Sequence, residues 1–96
     1  MESELRVEWQ VRPAQRGDLI AGYVHNDGGT TANKVTLLVE GLDPDGHRVN
    51  QTIGYVTGTV PAFNRTYFEV RVPHVVSYRV SVASYEWLKG GGGGGM

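Results

Sequence analysis

Leu5, Val7, Trp9 and Val11 alternate with Arg6, Glu8, Gln10 and Arg12 in a strict two-residue rhythm. Successive side chains of a β-strand point to opposite faces, so this segment has one dry face and one wet face. Trp9 shares the dry face and is expected in the core. The strand, about 4–12, stops at Pro13, which has no amide proton to give a ladder. Arg16-Gly17-Asp18 reads as a turn; some cell-adhesion receptors recognise this tripeptide, but the turn is the preferred reading. Residues 19–25 are apolar on both faces, Ile20, Gly22 and Val24 on one and Leu19, Ala21 and Tyr23 on the other. That marks a central strand covered on both sides, or one whose outer face is patched by aromatics.

Asn26-Asp27-Gly28-Gly29-Thr30-Thr31 is dense in residues that tolerate positive φ and makes a loop. Val35, Leu37 and Val39 line a third strand ending near Leu42, and Asp43-Pro44-Asp45-Gly46 is a hairpin turn. Val49, Ile53 and Tyr55 continue the alternation in a fourth strand. After a crossing loop with Pro61, Phe68, Val70 and Val72 form the inner face of a fifth, closed by Pro73. Tyr78, Val80 and Val82 begin the last. No stretch of ten or more residues carries the 3.6-residue period, so no helix is expected. The pattern predicts an all-β antiparallel sandwich of about seven strands.

The rhythm breaks once. After Val82 the large residues switch parity to Tyr85 and Trp87. Either a bulge re-aims the strand and turns both rings inward, or they lie outside beside Tyr67 and Tyr23 as an aromatic partner surface. The bulge is preferred. It leaves Tyr85 partly exposed near the sheet edge and Trp87 covering the open end of the core.

Composition narrows the function classes. The 96 residues make one domain, expected over 1–89, and the run of Gly from 90 to 95 predicts a disordered tail over 90–96. Nine Lys and Arg face ten Asp and Glu without a basic stripe, which argues against nucleic acid. No apolar run approaches the roughly 18 residues of a membrane span, so no membrane insertion is expected. The absence of Cys removes disulfides, thiolate metal sites and thiol nucleophiles. The sequons at Asn50 and Asn64 matter only in a glycosylated secreted chain.

Candidate chemistry is sparse. His47 and His74 fall at one end of the expected sandwich with Asp43 and Asp45, and His25 at the other. A mixed divalent-ion site is conceivable there, but solvated imidazoles beside a polar turn are the preferred reading. The Asp-x-Asp-Gly piece lacks the later ligands of a calcium loop. No Gly-x-Ser-x-Gly elbow exists, Ser77, Ser81 and Ser84 lie in or beside a strand, and Glu4 and Glu8 share a wet face. No catalytic, cofactor or metal residue is assigned, and the chain is expected not to be an enzyme.

The stretch Ile20-Ala21-Gly22-Tyr23-Val24-His25-Asn26, then Thr31-Ala32 and Val35 to Val39, resembles the FxLYD-type domains of bacterial envelope proteins. So does the continuation through Leu42-Asp43, Gly46, Pro61, Phe68-Glu69-Val70 and Tyr78-Arg79-Val80. The resemblance covers roughly residues 5 to 88. It implies an immunoglobulin-like, fibronectin-III-like fold, bacterial origin, export to the periplasm or cell envelope, and no catalytic role. If Met1 is the natural start, the chain stays cytoplasmic. The resulting expectation is a monomeric protein-interaction or spacer module, with Tyr67, Tyr85 and Trp87 as the candidate partner surface. The alternative is a small-ligand or glycan-binding module using Tyr85 and Trp87.

Overall fold

The computed structural model describes residues 4–88, so the glycine tail expected over 90–96 lies outside the described residues. Six strands follow one another: β1 (Leu5–Ala14), β2 (Gly17–Asn26), β3 (Ala32–Leu42), β4 (Arg48–Tyr55), β5 (Arg65–Val72) and β6 (Ser77–Trp87). They form two antiparallel three-stranded sheets, ordered β1-β2-β5 and β4-β3-β6. The count is six rather than about seven, because β6 has no neighbour on its far side among the described residues. Close contacts stack β1 on β6 and β5 on β4, which leaves β2 and β3 in the middle.

The core follows the two-residue rhythm. Ile20 and Val24 of β2, Val35, Leu37 and Val39 of β3, and Phe68, Val70 and Val72 of β5 are all buried in one cluster. Gly22 sits in register between Trp9 and Phe68, two large rings that need a small residue between them. A Cβ on Gly22 would lie 1.9 Å from the Glu8 carbonyl oxygen and 2.7 Å from the Trp9 Cα, so glycine is what lets β1 approach β2.

The first strand has the expected face inward, but cover fades along it. Leu5 is 5% exposed, Val7 and Trp9 are half-buried against the core, and Val11 is 44% exposed. The fourth strand departs from the expected alternation. Val49, Ile53 and Tyr55 are all exposed, whereas Gly54 is buried. A Cβ on Gly54 would come within 2.3 Å of Val70 Cγ2, so this flank is closed by the Val70 side chain of β5 packing directly on the bare β4 backbone. The apolar residues of β4 consequently point outward, beside Leu38 in register with Ile53.

The parity switch in β6 is a bulge. Leu37 pairs with Val82 and Thr36 with Ser84, which makes Ala83 the extra residue. Thr36 Oγ1 and Ser84 Oγ meet at 2.6 Å on the outer face, and Tyr85 swings in to pack on the core.

One end of the sandwich is tied by Asn26, a buried polar residue on the inner face of β2. Its Nδ2 donates to the Thr30 carbonyl at 2.8 Å and the Val60 carbonyl at 3.1 Å, and its Oδ1 accepts from the Gly28 amide at 2.9 Å. Every polar atom of the side chain is used, and two loops are joined through it.

Replacing Gly22 by Ala is expected to destabilise the domain by roughly 3 kcal/mol or more, because the new methyl meets backbone that must move. A denaturant titration checks this. A loss under roughly 1 kcal/mol, the usual cost of strand repacking, would show that β1 can shift freely.

Candidate functional site

The stacking of β1 on β6 leaves an open flank. A cleft of about 480 Å³ lies along it, lined by Trp9, Val11 and Pro13 of β1, Asp18 of β2, and residues 74–78. Val11 and Val76 are well exposed there, and Val80 and Val82 above it are only half-buried. This is apolar surface that lacks the cover a further strand would give.

The floor of the cleft is polar and built. Asp18, 7% exposed, occupies an inward position at the start of β2. Its Oδ2 accepts from Tyr78 Oη–H at 2.5 Å and meets His74 Nδ1 at 2.9 Å. The same Tyr78 hydroxyl accepts from the Val75 amide at 3.1 Å and shares its proton with the Pro73 carbonyl at 2.8 Å. One phenol thus fixes the β5–β6 connection and joins the two sheets at this end. Hydrogen bonds from Tyr78 and then His74 outweigh desolvation and hold the Asp18 carboxyl below the usual Asp range. Burial, then the Asp18 hydrogen bond, pushes the Tyr78 phenol up. Both shifts keep the proton on the tyrosine.

This geometry also decides the Arg16-Gly17-Asp18 tripeptide. A receptor needs the aspartate free, and here it is buried and held by two side chains.

The three residues expected as a partner surface do not meet. Tyr85 and Trp87 are joined, ring centroids 4.9 Å apart and edge-on at 71°, at the far end of β6. Tyr85 packs on the core, and Trp87 is 37% exposed. Tyr67 belongs to the other sheet. Its ring meets Tyr23 edge-on at 5.5 Å and its hydroxyl donates to Glu69 Oε2 at 2.9 Å. Arg65 stacks over Tyr23 at 4.1 Å, and His25 bonds Glu8 at 2.7 Å on the same wet face. These charges and rings cap the outer side of β2, the second of the two covers its sequence allowed.

Asp43, Asp45 and His47 converge at the β3–β4 hairpin, their ligand atoms within 4.8 Å of one another. Asp43 Oδ1 already accepts from the amides of Asp45 and His47, both at 2.9 Å, which is the work of the turn. His74 does not join them, being held at Asp18. Phe63 carries no signal in the sequence beyond being bulky in a loop of Pro and Gly. It is 77% exposed with φ of 55°, a conformation that bulky residues rarely adopt.

Comparison of the chain with protein-family models, characterised proteins and solved structures gives no match.

Stability is expected to be highest between two limits set by the Asp18–Tyr78 pair. A depressed carboxyl stabilises the fold above its unfolded pKa, so that contribution fades as pH falls below about 4. A raised phenol stabilises below its unfolded pKa, so its contribution fades as pH climbs past about 10. Tyr78→Phe should flatten both edges of the profile in pH-dependent thermal melts. A residual acid slope is expected from Asp27, which the Arg6 hydrogen bond also holds low. An unchanged profile would show that the pair does not couple the sheets.

Proposed function

We propose that the chain is a non-enzymatic β-sandwich module of the bacterial cell envelope that binds a protein partner through the open flank between β1 and β6. The observation that carries this reading is the apolar cleft lined by Trp9, Val11, Val76 and Tyr78, with half-buried Val80 and Val82 above it. Protein-binding surfaces combine such exposed apolar and aromatic groups with a polar rim. The Asp18–His74–Tyr78 constellation acts here as a clamp; among the described residues no serine hydrogen-bonds to His74.

Two features support an immunoglobulin-like assignment. The β1-β2-β5 and β4-β3-β6 arrangement has the sheet order of such sandwiches, with no counterpart of their final strand among the described residues. The Tyr78 hydroxyl bonded back to residues 73 and 75 matches the tyrosine corner of that fold. Envelope localisation rests on the FxLYD resemblance. No helix among the described residues is long and apolar enough to cross a membrane.

A glycan-binding role for Tyr85 and Trp87 is a second reading, supported by the exposure of Trp87. Rings at 71° present one flat face rather than two coplanar ones, which makes this the weaker platform.

Val11→Gln combined with Val76→Glu changes exposed flank positions and should leave the melting temperature close to the parent. The double variant should lose the proteins that the parent captures from bacterial envelope extract. Capture of the same proteins by both would sink the flank reading.

A further inference from the structure

Four strands are sheet edges, and they are protected unequally. Edge strands are normally blunted by proline, short length, bulges or charge. β1 carries Pro13, β4 has eight residues and a bulge near Val49, and β5 has eight residues with Arg65, Glu69 and Arg71 outward. β6 runs eleven residues without proline, and only its bulge at Ala83 and one positive and one negative side chain, Arg79 and Glu86, blunt it. Its far side has no strand partner among the described residues.

The bulge gives β6 an unusual internal symmetry. Before Ala83 the inner-face residues are Tyr78, Val80 and Val82; after it they are Tyr85 and Trp87. Opposite residues in an antiparallel pair share a face. If a second β6 is laid against the first about a two-fold axis between Val82 and Ala83, the faces agree on both sides of that central pair. Tyr78 then opposes Trp87, Val80 opposes Tyr85, and Ser81 opposes Ser84. Arg79 opposes Glu86, twice, on the outer face. A one-residue slip in either direction would set inner-face against outer-face residues along both halves.

Resting on the flank reading above, we propose that the partner is a second copy of this chain, joined by antiparallel β6–β6 pairing in this register. Two features argue for self-association. The Arg79–Glu86 charges complement each other across the two-fold, and the same axis brings the two half-covered flanks together. The result is one six-stranded sheet, β4-β3-β6 continued by the copy's β6-β3-β4. The monomer expected from the sequence is replaced by a symmetric dimer.

The chain has no cysteine, so register can be tested directly. Ser81→Cys and Ser84→Cys are separate outer-face variants whose folding is confirmed by circular dichroism. Oxidising the two proteins together should give at least about tenfold more disulfide dimer than oxidising either alone, since only Ser81 and Ser84 are opposite. Arg79→Glu and Glu86→Arg should each weaken association alone, and mixing them should restore it, because each unlike pair is then complementary. Sedimentation of the unmodified chain should move from 10.5 kDa towards twice that mass as concentration rises through the micromolar range. A 10.5 kDa mass persisting to millimolar concentration, or no excess of mixed disulfide, overturns the proposal. If either of those results is found while the Val11→Gln, Val76→Glu variant does lose the captured proteins, the self-pairing alone has failed. If capture is also unchanged, both readings have.

Discussion

The packing of β2 on β3 is the contact on which the domain depends. With three strands in each sheet, only the middle strand has neighbours on both sides, and sheets stack about 10 Å apart. The largest fully buried side chains are Ile20, Val24 and Asn26 of β2, Val35, Leu37 and Val39 of β3, and Val60 from a loop. The core is therefore centred on these two strands and extends to β5, whose Phe68, Val70 and Val72 are also buried, whereas Val7 and Trp9 of β1 and Val80 and Val82 of β6 are only half inside.

The two sides are closed differently. On the β4–β5 side the Val70 side chain packs directly on the Gly54 backbone. On the β1–β6 side there is no such approach, and cover fades from Leu5 to Val11. The ends are secured by polar groups, the fully bonded Asn26 side chain at one and the Asp18–Tyr78 pair, joined through Asp18 Oδ2, at the other. A buried polar group holds its place when its partners are complete, because leaving any of them unpaired costs more than the bond itself contributes. The open flank is thus framed by rigid ends, which suits the partner surface proposed above.

Much of this architecture was legible in the sequence, and the exceptions have physical causes. Period-two alternation located β1, β3 and β5 and gave their inner faces correctly, because burial on one side selects for it directly. The same rule misplaced β4. There the inner face holds Gly54 and small polar residues, so the apolar positions that caught the eye, Ile53 and Tyr55, are the outward ones. Parity located the bulge in β6, but the expected roles of the two rings are reversed: Tyr85 packs on the core, and Trp87, expected to cover its open end, is 37% exposed. Tyr67 shares its residue type with those rings, but strand order puts it in the opposite sheet. Asp18 was the least legible residue. Inside an Arg-Gly-Asp turn it reads as exposed, and its partners His74 and Tyr78 lie more than fifty positions away. Such a contact exists only once β6 has crossed back over β1 and β2.

The even number of strands has a consequence for how the module is carried. Asp27 donates its amide to the Glu4 carbonyl and Leu88 donates its own to the Thr31 carbonyl, so both ends of the described chain are bonded to the same loop. Polypeptide arriving at Glu4 and leaving after Leu88 does so at a single pole. Tension applied between Glu4 and Leu88 would therefore pull at one corner and unzip β1 and β6 in turn instead of shearing them together.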